Sequence, residues 1–347
     1  MGPAKTGWGT GTAFDGLSLT GKTRATGRKP AIGHEQHTVA VFAPVLYLTV
    51  TVEATSSGAD EIHIHPGGQG FWIARMLKHL GERPLLCGPV GGEAGQAFRG
   101  LLGQWKIDVS PVEIAGSTPI IVHDRRSGDR QLVAGSVAAS LARHEVDDIY
   151  GRFLDRALTS ALCVVTGQSQ EILPPKLYRR LGHDLAAAGI QVVADLHGPE
   201  LWHFLEGGPI DVLKVSDEDL ESDGLLEDRN ADSSSLMGVL EDFIEAGAKA
   251  VVLSRQDKPA LARFGPVAYQ ATAPEFEPAD HRGAGDSMTA GLTSALRRGL
   301  DPTESLRLAC AAGAANVTRH GLGSADGRLV PGLSERIEIV PLSLPMP

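Results

Sequence analysis

The segment Asp280-His281-Arg282-Gly283-Ala284-Gly285-Asp286-Ser287-Met288-Thr289-Ala290-Gly291 carries the groups best suited to chemistry. It follows an irregular, proline-containing stretch and precedes a periodic apolar run that reads as a helix. Three small residues at a helix start, Gly283, Ala284 and Gly285, let backbone N–H groups converge on an anion. The helix dipole adds positive potential there. Asp286 then falls in the first turn, beside a developing negative charge and in reach of an attacking hydroxyl. An anion hole next to a general base is what phosphoryl transfer asks of a protein. The same residues also suit a glycine-rich turn with an aspartate that merely complements the dipole, and the segment alone does not separate the two.

A second candidate fails on its flanks. Gly16-Leu17-Ser18-Leu19-Thr20-Gly21-Lys22-Thr23 fits the P-loop pattern letter for letter. That loop works only between a buried strand and a helix whose N-terminus faces the phosphates. Gly7 to Asp15 before it and Arg24 to Pro30 after it can form neither. Residues 1–37 are rich in Gly, Thr and Lys, lack apolar periodicity and lack the apolar run of a signal peptide. They read as a disordered extension.

From Thr38 the order becomes regular. Val39 to Val52 is strand-like and Glu61 to His65 alternates as a half-exposed strand does. Gly67-Gly68-Gln69-Gly70 opens a helix with Ile73, Met76, Leu77 and Leu80 on one face. Leu85–Val90 is a strand, followed by a helix with Phe98, Leu101, Leu102 and Trp105 inward. Ile120–His123 and Gln131–Val133 flank turn residues and predict a hairpin. Strand and helix then alternate: Leu162–Thr166, the helix Pro174 to Ala188, Ile190–Asp195, Val212–Val215 and Ala250–Ser254. Helices over Gly285 to Arg298 and Thr303 to Arg319 close the pattern. Repeated strand–helix units predict an α/β fold with a mostly parallel sheet covered on both faces. The two-faced early strands, near 45–66 and 118–134, suit a small β lid. The expected organisation is one domain over 38–335, with 336–347 as a tail.

Bulk properties narrow the function classes. A formal charge of −10 argues against broad binding to nucleic acid or anionic membrane. Aromatic residues make up only 5%, too few for base-stacking platforms. Cys87, Cys163 and Cys310 stand far apart in apolar runs, which reads as buried thiols in a reducing, cytoplasmic setting. No run of about 18 apolar residues exists, so no membrane span is expected.

The Gly-Ala-Gly-Asp segment resembles the second signature of the ribokinase-like carbohydrate kinases, and the Gly-Gly-Gln-Gly helix start resembles their first. Gly91-Gly92-Glu93-Ala94-Gly95-Gln96-Ala97-Phe98, Val193-Ala194-Asp195-Leu196 and Ala312-Gly313-Ala314-Ala315-Asn316-Val317-Thr318-Arg319 are similar to the branch of 1-phosphofructokinase and tagatose-6-phosphate kinase. The resemblance runs from about Thr38 to Val330. It implies a three-layer α/β/α domain with a β lid, ATP as donor with Mg2+, and a small-molecule alcohol as acceptor. It implies Asp286 as base and Gly283, Ala284 and Gly285 as anion hole. Asn316 and Gly313 would border the adenine, and Ser254 and Lys214 would lie near the phosphates. Ser216-Asp217-Glu218-Asp219 replaces the family's Asn-x-x-Glu, so Ser216 and Asp219 are the implied magnesium-side residues. Exposed lid edges suit a homodimer.

Departures from the family gather on the acceptor side. Thr49 stands where the branch has a sugar-gripping Asp, and Gln69 and Trp72 replace Lys and Asn in the loop around Gly68 and Gly70. Pro119 and Ile121 replace an Arg and an Asn, Gln168 to Ile172 replaces a Ser-Leu-Pro-Pro-Gly loop, and Gln256 replaces a Gly. Losing these cations removes charge-assisted bonds to a phosphosugar, and Trp72 and Ile121 would add apolar area. An acceptor other than a simple hexose phosphate is expected, with Arg282 offering a replacement charge. The alternative is a catalytically impaired relative acting as a ligand-binding or regulatory module.

Overall fold

Short apolar runs, buried on both faces and too short for helices, form the parallel half of a large sheet. The computed structural model describes residues 38–168, 172–229, 231–274, 276, 282–318 and 325–342. The strands are β1 (Val39–Phe42), β2 (Tyr47–Ala54), β3 (Asp60–Gly67), β4 (Pro84–Val90), β5 (Asp108–Glu113), β6 (Ile120–Asp124) and β7 (Gln131–Gly135). They continue as β8 (Leu162–Thr166), β9 (Val192–Asp195), β10 (Val212–Ser216), β11 (Ala250–Arg255), β12 (Lys258–Phe264), β13 (Val267–Thr272) and β14 (Glu338–Leu342). The helices are α1 (Gln69–His79), α2 (Gly92–Trp105), α3 (Arg143–Ala157), α4 (Lys176–Ala187) and α5 (Gly198–Gly207). After them come α6 (Asp217–Ser222), α7 (Ser233–Glu245), α8 (Ala284–Arg298), α9 (Pro302–Val317) and α10 (Val330–Ser334).

Among the described residues the main sheet has ten strands in the order β14-β13-β12-β11-β10-β9-β8-β1-β4-β5. β5 through β11 in that order pair in parallel, while β12, β13 and β14 pair antiparallel. The strand order reverses at β1, whose neighbours are β4 and β8, which is where open α/β sheets leave a crevice at their strand C-termini. The period of two along β1 serves both faces. Val39 and Val41 pack with Phe71, Phe98 and Leu306 of α1, α2 and α9, and Ala40 and Phe42 with Phe153, Leu181 and Phe204 of α3, α4 and α5. The expected three-layer α/β/α architecture is therefore the observed one.

The lid is a four-stranded sheet in the order β3-β2-β6-β7. Register fixes its two faces, since Thr49 pairs with His65 and Ile121, and Thr51 with His63 and His123. One face thus carries Tyr47, Thr49, Thr51, His63, His65, Ile121 and His123, and is largely polar. The opposite face carries Leu48, Val50, Val52, Ile62, Ile64, Ile120 and Val122, and Ile62 and Ile64 on it are exposed.

Two expectations need correction. Val39 to Val52 is not one strand: β1 stops at Phe42, and Ala43-Pro44-Val45-Leu46 carries the chain out of the main sheet into β2 of the lid. Pro44 has no N–H for a ladder and suits this exit. Residues 338–342, expected as tail, form β14 and pair with β13 at the sheet edge, with Gln270 opposite Val340. Residues 1–37, including Lys22, lie outside the described residues, as do residues 169–171 and Arg319.

Candidate active site

The N-terminus of α8 is open. Gly283 caps it at φ 76° and ψ 3°, a left-handed conformation that glycine adopts without a Cβ clash, and no side chain caps the helix. The first-turn N–H groups of α8 therefore keep no intrahelical partner and are free for an anion. Asn316 on α9 donates its Nδ2 to the Arg282 carbonyl oxygen at 2.8 Å and ties down the approach to this turn. Asn316 is itself fully buried, and its amide anchors the loop. Gly313 matters in the same way. A Cβ there would come within 3.3 Å of the Ala284 carbonyl oxygen, so α9 packs tightly under the turn.

Asp286 sits in that first turn, partly buried. Burial and the charge of Asp195 push its carboxyl up to about 7, Lys214 opposes the shift, and Asp219 adds to it. A carboxyl tuned there is divided between acid and base at neutral pH, which suits general-base work.

Beneath the turn lies a buried charge network. β9 and β10 are in register at Asp195 and Lys214, and the Lys214 Nζ lies 3.4 Å from Asp195 Oδ1. Thr289, one turn after Gly285 on α8, donates its hydroxyl to Asp195 Oδ2 at 2.6 Å. Burial disfavours the ammonium of Lys214, but Asp195, Asp219 and Asp286 together outweigh it and raise its pKa. A Cβ on Gly285 would lie 2.9 Å from Lys214 Nζ, so this small residue lets the cation reach the turn.

The ends of the next strands complete the rim. Ser216 and Ser254 stand opposite one another at the C-terminal ends of β10 and β11. Ser216 and Asp219 form the capping box of α6: Ser216 Oγ accepts from the Asp219 N–H at 3.1 Å, and Asp219 Oδ2 accepts from the Ser216 N–H at 2.9 Å. Ser254 donates its hydroxyl to the Val215 carbonyl oxygen at 3.3 Å. Gln256 adopts φ 49°, a region that favours glycine, and its side chain is drawn to Glu218 Oε1 at 2.8 Å.

On the acceptor side the structure redistributes the expected roles. Gly68, at φ 112°, caps α1, and Gln69 begins it, partly buried. Gly70 is a packing residue, since a Cβ there would fall 2.4 Å from the Ala43 Cβ. Thr49 is 2% exposed, and its hydroxyl is walled off by Gly67. Trp72 is 3% exposed and packs against Phe71 and His65, so it belongs to the core and adds no apolar wall for an acceptor. Pro119 is buried and offers its carbonyl oxygen to the Leu48 N–H. Ile121 is half-buried on the polar lid face. Arg282 is exposed.

Tyr47 was not singled out in the sequence, yet it is a lid-strand side chain that feels the Asp286 carboxylate. It pairs with Gly67, and a Cβ on Gly67 would lie 2.3 Å from its ring. Its hydroxyl pKa is raised by burial and also by the Asp286 charge. The available signal was its place as first residue of a lid strand immediately after Ala43-Pro44-Val45-Leu46.

Residues 37–326 match the pfkB family of carbohydrate kinases. The chain belongs to that family. It is 28% identical over 265 residues to the ATP-dependent 6-phosphofructokinase isozyme 2 of Escherichia coli, covering 74% of this chain and 82% of the relative. It is 24% identical over 298 residues to the 1-phosphofructokinase of Bacillus subtilis, covering 84% and 95%. A crystal structure of Escherichia coli phosphofructokinase-2 in complex with potassium superposes with TM-score 0.76 at 21% identity, covering 86% of this chain and 98% of that one. This pfkB-family chain is thus a kinase with the ribokinase-like fold. Among the described residues, no helix is long and apolar enough to cross a membrane, and the three cysteines are buried and unbridged.

A nucleotide triphosphate suits this pfkB site on two counts. The helix start is capped by no side chain, and a buried cation, Lys214, stands under it. Among the described residues no cluster of three or more His, Cys, Asp or Glu is arranged to hold a metal.

Proposed function

We propose that the chain transfers the γ-phosphoryl group of ATP to a hydroxyl of a sugar-like small molecule, with Asp286 as the base. The observation that carries this reading is a carboxylate in the first turn of an uncapped helix N-terminus with Lys214 directly beneath. Asp286 takes the proton of the acceptor hydroxyl as its oxygen bonds to the γ-phosphorus. The bond from that phosphorus to the bridging oxygen breaks, and ADP leaves. The N–H groups of Ala284, Gly285 and Asp286, with Lys214 behind them, hold the charge on the transferring oxygens. Asp219, beside Ser216 and Ser254, would hold Mg2+ through its carboxylate, and the ion would neutralise the phosphates.

The acceptor departs from the simple hexose phosphates. Gln69, Pro119 and Ile121 bring no cation to the acceptor side, and Thr49 is closed off. ADP release with Mg-ATP across a panel of sugars and sugar derivatives tests the reading. Turnover confined to a few sugar-like alcohols is expected, with fructose 1-phosphate and fructose 6-phosphate poor substrates. Efficient use of either phosphate would overturn the acceptor assignment, and ADP release by none of the panel would overturn the kinase reading.

The apolar outer face of the lid supports a homodimer. Ile62 at 63% and Ile64 at 54% exposure lie with Ile120 on a sheet face that a second copy would cover. The fold domain is read as 38–342, and 1–37 as an extension outside it.

A further inference from the structure

The β11–β12 hairpin is tied to α6 by a chain of side-chain bonds. Its turn is only Gln256-Asp257, between Arg255 and Lys258, which pair with each other. Gln256 takes φ 49° at the first turn position, a left-handed value that glycine often supplies in such hairpins. A residue with a Cβ is disfavoured there, so the conformation calls for an offsetting contact. The contact comes from 38 residues away, where Glu218 Oε1 accepts from Gln256 Nε2 at 2.8 Å. Glu218 is held in turn, since the same oxygen accepts from Arg229 Nη1 at 3.0 Å. Arg229 Nε binds Glu221 on α6, and the Arg229 carbonyl oxygen accepts from Lys258 Nζ at 3.2 Å. Gln256, Glu218, Arg229 and Lys258 thus close a ring between hairpin, helix and loop. The guanidinium also offsets the Glu218 charge.

The ring stands beside the serine rim. Ser254 precedes Gln256 by two residues, Glu218 follows Ser216 by two, and the serines face each other in register. The C-terminal ends of parallel strands are where open α/β sheets take their ligands. Gln256 and Glu218 are both exposed, so burial does not fix the glutamine side chain and its bond to Glu218 does.

We propose that Glu218 is a positioning residue for the donor nucleotide: it parks the Gln256 side chain against α6 and keeps it out of the space over Ser216 and Ser254. The inference rests on the kinase reading, which puts the donor phosphates over those serines. It goes beyond that reading in giving a role to two residues that touch no substrate. Gln256 is bulky for a turn at the edge of a phosphate site, and Glu218 is what makes it tolerable. Without Glu218 the glutamine is released to sweep the rim and crowd the phosphates.

The test is calorimetric, using the full chain and a non-hydrolysable ATP analogue with Mg2+, so it needs no acceptor. Glu218→Ala should weaken analogue binding by about 3- to 10-fold, the effect of one ordinary hydrogen bond. Glu218→Gln removes the charge but keeps an oxygen for the Gln256 amide, and should recover most of the affinity. Gln256→Gly removes the side chain that has to be parked. In that background Glu218→Ala should change binding by no more than about twofold, the scatter expected of uncoupled sites. In turnover assays the KM for ATP should follow the same pattern while the acceptor KM holds. Unchanged binding in Glu218→Ala, or an equal loss with and without Gln256, would overturn the role and leave the kinase reading standing. An analogue that fails to bind the wild type would overturn the kinase reading, and this role with it.

Discussion

The glycine turn that starts α8 and the polar face of the lid are built in opposite ways. The turn is a contiguous stretch, Gly283 to Asp286, whose function lies mainly in backbone N–H groups and one carboxylate. Its support comes from rigid parallel strands, with Asp195 and Lys214 in register on β9 and β10. The lid face takes its side chains from three strands and a hairpin turn, so what it recognises depends on which way each residue points. A backbone site tolerates little change. A side-chain site can be rewritten one position at a time.

That contrast sharpens into experiments of decreasing effect. Lys214→Met removes the cation that Asp195 and Asp286 share in a buried setting. Breaking such a pair costs roughly 3–5 kcal/mol, and turnover should fall with it by at least about 10². Urea unfolding and kcat check both, and an active, stable variant would show that the turn does not need its buried support. Thr49→Asp should also destabilise the fold, since it buries a carboxylate at a position only 2% exposed. It should not restore hexose phosphate use, and a restored preference would mean that Thr49 does face the acceptor. Tyr47→Phe removes a hydroxyl that feels the Asp286 charge and should change acceptor KM by about tenfold, the worth of one hydrogen bond, while the KM for ATP holds. Ile64→Asp should turn the dimer expected in light scattering into a monomer with an unchanged circular dichroism spectrum. A wild-type monomer would remove the lid interface. Removing residues 1–37 should have the smallest effect, leaving ATP use as it is, because the family match begins at residue 37.

The same difference decides what could be read from the sequence. Gly283-Ala284-Gly285-Asp286 announces itself because its function depends on local order: small residues, then an acid, then a helix. The parallel strands are legible for a similar reason, each being a short apolar run between helical periods. Lys214 could be placed through its family resemblance, but Thr289, which donates to the same Asp195, could not, because the network joins three segments far apart in the chain. Trp72 looked like a pocket wall, yet the first turn of α1 points it into the core against Phe71 and His65. The edge strands β12 to β14 were missed because antiparallel pairing at a sheet edge leaves them half-exposed, without the uniform apolar run that marks the buried strands.

Asp286, the proposed base, is held in a setting that disfavours its charge. Its folded pKa of about 7 lies above that of an unfolded aspartate, about 3.9. The stability this group contributes is complete below the unfolded value and is lost as the pH rises through about 7, when the buried carboxyl must ionise. Catalysis runs the other way, gaining as the base deprotonates. Asp286→Asn, compared with wild type for kcat and melting temperature at several pH values between 5 and 8, reads both at once. Turnover is expected to be lower by at least about 10² at every pH, with the wild-type rise through neutrality lost. The variant should also melt higher than wild type at pH 8, with the gain shrinking toward pH 5. An Asn variant that keeps most of its turnover, or one that melts earlier than wild type at pH 8, would contradict it.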